Sequence, residues 1–323
     1  MRFLIFILLV LPLAIFAQQT DFNYPKDTSF DVESAFRKIE KQFPHARVVN
    51  EFSIPAIQEK RNVVYYWLGK RALHMDIFYP KVAKMEPVPG VLLIHGGGWA
   101  SGTKAHLVPM AQKLAEAGFV AATVEYRLSP EALYPAGVVD LKTALKWLKL
   151  NAGEFGLDTA KVATLGTSAG ATLASLLGTT AGNTNFAAHP LQQEANDKVH
   201  AVINIDGVVD FTDPNESGKD ENPEKPSAGA RWFGATYKEN PGLWIEASPI
   251  SYVGKNTPPT IFINSALPRF HAGRESYLAE LNKFEIYNEV HTIGHTPHPF
   301  WLCHPWFDET VPYIVTFLHK VFD

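Results

Sequence analysis

Apolar residues recur along this chain with two different periods. Short runs rich in β-branched and aromatic residues at 62–67, 73–79, 91–95, 120–125, 161–166, 200–206, 260–264 and 288–292 read as strands. Between the later runs, apolar positions three and four apart predict helices over 104–117, 137–151, 168–178, 274–284 and 308–322. Strands that alternate with helices call for a mostly parallel sheet covered on both faces. The first two strands have no helix between them, which fits an antiparallel start. No repeat, low-complexity tract or linker divides the pattern, so 56–323 reads as one folded unit. The polar stretch 213–227, with Pro214, Gly218, Pro223 and Pro226, reads as a surface excursion. Ahead of the first strand, Phe30, Phe36, Ile39 and Phe43 fall at helical spacing, with Thr28 and Asp31 placed as a capping box and Pro44 as the stop. This predicts an N-terminal arm over 18–55, packed on the core or serving as a partial lid.

Composition adds limits. The 323 residues are 46% hydrophobic and 19% charged, with a formal charge of −4, a globular balance without the basic surface that nucleic-acid binding requires. Met1-Arg2 precedes an apolar run at 3–16 and then Ala17-Gln18-Gln19, the basic, apolar and small-residue parts of a secretory signal peptide over 1–17. A secreted or periplasmic location follows as an expectation. The run is shorter than the roughly 20 residues of a spanning helix, so no stable membrane insertion is expected. A single cysteine, Cys303, allows no internal disulfide. Nothing in the sequence speaks to oligomeric state.

Two loops carry the chemistry. Gly166-Thr167-Ser168-Ala169-Gly170 follows an apolar strand and opens an Ala/Leu-rich helix. A G-x-S-x-G at such a turn holds its serine in a strained, exposed position, which makes Ser168 a candidate nucleophile. His95-Gly96-Gly97-Gly98-Trp99 ends the strand at 91–95. Consecutive glycines let backbone N–H groups turn toward an oxygen that develops negative charge, so Gly97 and Gly98, with Ala169, are the candidate oxyanion donors. A phosphate-binding reading of the same glycines lacks the Lys-Ser/Thr pair or the G-x-G-x-x-G spacing it needs.

With these loops, the chain resembles the carboxylesterase and hormone-sensitive-lipase-like branch of the α/β-hydrolase superfamily, including secreted feruloyl and acetylxylan esterases. The resemblance extends to Glu125-Tyr126-Arg127-Leu128-Ser129-Pro130, Tyr134-Pro135-Ala136 and Ala247-Ser248-Pro249-Ile250-Ser251. It implies an α/β-hydrolase fold with an eight-stranded sheet, a Ser-acid-His triad, and no metal or organic cofactor. It also implies a small ester or acylated polysaccharide as substrate, acetyl before feruloyl. Gly294-His295-Thr296-Pro297-His298-Pro299-Phe300-Trp301 looks like the family loop in which a histidine precedes a Phe-Trp pair, which makes His298 the base, with His295 as rival. His291, His295, His298 and His304 lie close in sequence, yet without the spacing of a zinc site.

The triad acid departs from the family pattern. Where the family places an aspartate after the strand at 260–264, this chain has Ser265-Ala266-Leu267-Pro268-Arg269. Asp206, at the end of the preceding strand, ranks first as the replacement, Glu275 second, and Asp210 reads as a turn residue. The missing aspartate also keeps open a catalytically silent binding protein, and a peptidase or amide hydrolase of the same fold is the rival enzyme. Trp301, Trp306 and Phe307, with Trp99 and Tyr126, are candidate cleft aromatics or core residues. Arg269 and Arg274 flank the altered loop, either to bind a substrate carboxylate or to form surface ion pairs.

Overall fold

The computed structural model describes residues 24–81, 86–190, 195–217 and 224–323. The expected signal peptide lies outside them. In the central strands both faces are apolar: Val91 and Leu93 turn to one core, Leu92 and Ile94 to the other, and all four are fully buried. Such a strand is stable only between two helical layers.

Eight strands form the sheet: β1 (Ile57–Leu68), β2 (Arg71–Pro80), β3 (Val88–Ile94), β4 (Val120–Val124), β5 (Leu157–Thr167), β6 (Ala201–Ile205), β7 (Thr260–Ser265) and β8 (Asn288–Ile293). Their order is β1-β2-β4-β3-β5-β6-β7-β8. β1, β2 and β4 pair antiparallel in sequence, and every pair from β4 across to β8 is parallel. This is the mostly parallel sheet that the alternation of elements predicts, in the eight-stranded α/β-hydrolase form that the resemblance implies. β5 begins earlier than its apolar run because Leu157 pairs with Val88.

On one face lie α3 (Ala136–Leu150) and α4 (Ala169–Thr179); on the other lie α1 (Val32–Ile39), α2 (Val108–Glu116) and α6 (Trp306–Phe322). α5 (Arg274–Lys283) packs Tyr277 and Leu281 on Phe262 of β7. Short helices at Ala152–Phe155, Ala228–Phe233 and Pro241–Glu246 span too few residues for a periodic signal. Among the described residues no helix is long and apolar enough to cross a membrane.

α1 is shorter than its predicted span, and its cap differs. Asp31 is the N-cap: its carboxylate accepts the Ser34 N–H at 2.7 Å, and the Ser34 hydroxyl accepts the Asp31 N–H at 3.0 Å. The capping box therefore joins Asp31 to Ser34, and Thr28 has no part in it. Ala35, Ile39, Phe43, Ala46 and Val49 enter the same core as Phe300, Trp301 and Trp306. Beyond α1, Arg47–Val48 pairs antiparallel with Cys303–His304 in a small second sheet. The arm thus braces the segment that follows His298.

Candidate active site

Three strand ends converge. Ser168 stands between β5 and α4 with φ 53° and ψ −124°, a strained backbone for a residue with a Cβ. The turn closes tightly: a Cβ on Gly170 would collide with the carbonyl of Ile94. Only glycine admits that approach of helix to strand. The Ser168 N–H bonds the Ile205 carbonyl at 2.8 Å, which ties the turn to the end of β6. Asp206 follows directly, itself at φ 53° and almost fully buried.

His298 completes the line from the loop after β8. Its Nε2 lies 2.8 Å from Ser168 Oγ and its Nδ1 lies 3.0 Å from Asp206 Oδ2. The other Asp206 oxygen accepts the Ser265 N–H at 2.7 Å and the Asn264 side-chain amide at 3.3 Å. With both oxygens engaged, the carboxylate cannot rotate away, and the histidine it faces is held in the tautomer with Nδ1 protonated. The ring of Phe270 stacks on His298 at 3.3 Å between centroids and Trp301 meets its edge at 5.2 Å. Burial is the leading reason that the His298 pKa falls below the ordinary histidine value; Arg269 adds to the fall, and Asp206 opposes it.

The glycine loop backs onto the serine. Gly97 has φ 121°, a region closed to side chains, and its carbonyl accepts the N–H groups of Ala100 and Ser101. Among the described residues, the Gly97 and Gly98 N–H groups donate to no protein acceptor. Ala169 is the first residue of α4, where helical N–H groups lack intrahelical partners. Gly98, Ala169 and Ser168 line one cavity of about 160 Å³, together with Trp99, Thr172, Asp206, Val208, Glu216, Ala228, Arg269 and Phe270. A larger cavity of about 510 Å³ lies beside the N-terminal segment, lined by Tyr24, Arg71, His74, His106 and Glu125; it contains no residue of the Ser168–His298–Asp206 line.

The remaining sequence candidates separate. Glu275 is exposed and bonded to Arg274, away from His298. Asp210 accepts the N–H and hydroxyl of Thr212, the expected turn role. His295 packs its ring on Phe43, His291 pairs with Glu289 and His304 with Asp308, so these three are dispersed. Of the aromatic candidates only Trp99 lines the serine cavity, stacked on Trp232 at 4.8 Å. Tyr126 borders the larger cavity, and Trp306 and Phe307 are buried beneath the arm, where Phe43 and Phe52 meet them. The stretch 213–227 is more than a surface excursion, because Glu216 within it and Ala228 just after it border the serine. Sequence reasoning also missed Phe270. Its apolar character beside Pro268 and Arg269 was the one local signal.

A family profile matches residues 75–267 and carries the description BD-FAE. The chain belongs to the BD-FAE family. Several curated relatives are esterases by name. Esterase LipC of Mycobacterium tuberculosis is 30% identical over 201 residues, 59% of this chain and 47% of the relative. Carboxylesterase NlhH of the same organism is 36% identical over 120 residues, 37% of each chain. The chain spans about half the length or less of these relatives. Among solved structures, a bifunctional GH43-CE protein of Bacteroides eggerthii superposes with a TM-score of 0.70 at 24% identity, over 82% of this chain and 38% of that one. Esterase 2 of Thermogutta terrifontis, with butyrate bound, superposes with a TM-score of 0.67 at 22% identity, over 83% of this chain and 95% of that one. The BD-FAE chain and these structures share the fold.

Proposed function

We propose that this BD-FAE member is a serine carboxylic-ester hydrolase, and that Ser168, His298 and Asp206 are its nucleophile, base and orienting acid. The observation that carries the reading is the continuous line of hydrogen bonds from Asp206 through His298 to a strained serine. Beside that serine stand backbone N–H groups without protein acceptors among the described residues. In the reaction, Ser168 Oγ attacks the ester carbonyl as His298 Nε2 takes its proton. The N–H groups of Gly97, Gly98 and Ala169 stabilise the tetrahedral oxyanion. His298 then protonates the departing alcohol, and a water activated by the same nitrogen frees the acid from the acyl-serine. A carboxylate on His298 removes the motive for a silent binding protein, which was the absence of the family aspartate.

The substrate reading is short acyl esters, acetyl before feruloyl, on plant-type polysaccharides, acted on after export. A cavity of about 160 Å³ is smaller than the 300–1,000 Å³ usual for drug-sized ligands, which favours an acyl group of a few carbons. The signal-like residues 1–17 support export. One structural neighbour is described as an acetyl ester-xyloside bifunctional hydrolase from Caldicellulosiruptor lactoaceticus, which accords with an acetylated sugar as substrate. The expected result is that purified protein hydrolyses p-nitrophenyl acetate at least about tenfold faster, in kcat/KM, than the ten-carbon ester, and releases acetate from acetylated xylan or pectin. A preference for the ten-carbon ester in the same side-by-side assay would make it a lipase.

Acidity supplies a second expectation. The base must be neutral to accept the serine proton, and burial holds His298 below the usual imidazole range. The kcat/KM for p-nitrophenyl acetate is therefore level through neutral pH and falls only below about 6.5, the unperturbed histidine value. An acid limb centred above pH 7 would contradict the base assignment.

A further inference from the structure

In this chain the acid stands after β6, so the loop after β7 is released from that task. It forms a short 3₁₀ turn, Pro268–His271, that puts Arg269 and Phe270 into the wall of the cavity containing Ser168. Phe270 covers His298. Arg269 lies over the Phe270 ring, its guanidinium carbon 5.5 Å from the centroid.

The two arginines of this region differ in commitment. Arg274 donates Nη1 to Asn264 Oδ1 at 2.9 Å and its other edge to Glu275. Arg269, with its side chain about half exposed, donates no hydrogen bond among the described residues. Its nearest carboxylate oxygen is Glu216 Oε1, 3.6 Å away and approached through Nε. Glu216 is buried and faces the guanidinium at ion-pair distance, while the two terminal nitrogens keep their donors. A guanidinium with both terminal nitrogens available pairs bidentately with a planar carboxylate.

Its exposure says which half of the ester carries that partner. Trp99 and Ala169, which line the same cavity beside Ser168, are buried, whereas Arg269 is about half exposed. A half-exposed side chain stands at the mouth, where the alcohol half of the ester meets solvent. We propose that Arg269 selects esters whose alcohol half bears a carboxylate near the acylated hydroxyl, the chemistry of an O-acetylated uronic acid. This rests on the ester-hydrolase reading above and names its substrate class.

Such a ligand acts on rate as well as binding. The charged groups around His298 are Asp206 on its Nδ1 side and Arg269; His271 lies 4.0 Å from Asp206 and donates its Nε2–H to the Ser265 carbonyl. Arg269 makes the imidazolium harder to form. A carboxylate paired to Arg269 cancels that effect, so the correct substrate relieves a handicap that a neutral ester still meets.

The test uses full-length enzyme and a matched pair, the O-acetyl methyl glycoside of galacturonic acid as free acid and as its uncharged uronamide. Wild type is expected to favour the acid about 10- to 100-fold in kcat/KM, the range of a hydrogen-bonded charge pair. Arg269→Gln should collapse that ratio toward one, Arg269→Lys should keep part of it, and Arg274→Gln should keep it whole. With p-nitrophenyl acetate, Arg269→Gln should also move the acid limb of kcat/KM to higher pH, because the cation that disfavours imidazolium is gone. Equal rates on acid and uronamide by the wild type, or an undiminished ratio in Arg269→Gln, would overturn the assignment. A wild type without activity on p-nitrophenyl acetate would instead remove the hydrolase reading, and this inference with it.

Discussion

Replacing Ser168 with alanine is expected to lower kcat by about 10⁵- to 10⁶-fold, the scale on which a serine nucleophile contributes in enzymes of this mechanism. The hydroxyl forms the covalent acyl intermediate, and no other hydroxyl stands within hydrogen-bond reach of His298 Nε2 among the described residues. The turn itself does not depend on it, because its geometry comes from the Gly170 approach to Ile94 and from the Ser168 N–H bond to Ile205. The melting temperature should therefore stay within a few degrees of wild type while activity disappears. An organophosphonate should label the wild type at Ser168, as mass spectrometry of the digested protein would report, and leave the alanine variant unlabelled. Turnover near the wild-type rate in a folded Ser168→Ala protein would end the mechanism proposed here.

The second large effect belongs to Asp206. Asp206→Asn should reduce kcat by as much as about 10⁴-fold, because an amide at that position pairs with the wrong imidazole tautomer and gives no charge to the imidazolium that forms. Glu275→Gln, on an exposed side chain bonded to Arg274, should leave kcat within about threefold. The two variants assayed together discriminate: if Glu275→Gln is the one that loses turnover, the carboxylate facing His298 Nδ1 has been assigned wrongly. Part of the loss in Asp206→Asn will be structural, since the Ser265 N–H and the Asn264 amide both donate to the same oxygen. Thermal melts of the variant separate that part from the change in chemistry.

Local patterns account for what could be read in the sequence. Strand alternation, the G-x-S-x-G turn and the glycine loop are each specified within about ten residues, and Asp206 ranks first for the acid because it ends the apolar strand that precedes the altered loop. The less legible features depend on tertiary placement. Trp306 and Phe307 read equally as cleft or core aromatics until the arm is seen to cover them; a buried and a substrate-facing aromatic have the same local sequence signature. Glu216 sits among prolines and polar residues that signal a loop, and turn chemistry does not say which surface the loop borders. Phe270 and Arg269 follow the same rule: a four-residue 3₁₀ turn decides that one covers His298 and the other lines the cavity wall. The six-residue helix Ala228–Phe233 and its neighbour Pro241–Glu246 are shorter than two helical turns, too brief for a period to be counted.

The small sheet between Arg47–Val48 and Cys303–His304 bears on where this catalytic unit can be cut for transfer into another protein. A boundary placed at Ile57, where the main sheet begins, would strip the strand partner from Cys303–His304 and uncover the apolar trough that Ile39, Phe43 and Val49 fill. An unpaired edge beside exposed aromatic surface is a template for self-association. A fusion joint ahead of Asp31 keeps the cap, the helix and the edge strand together, so a chimera that begins there stays soluble where the shorter one aggregates.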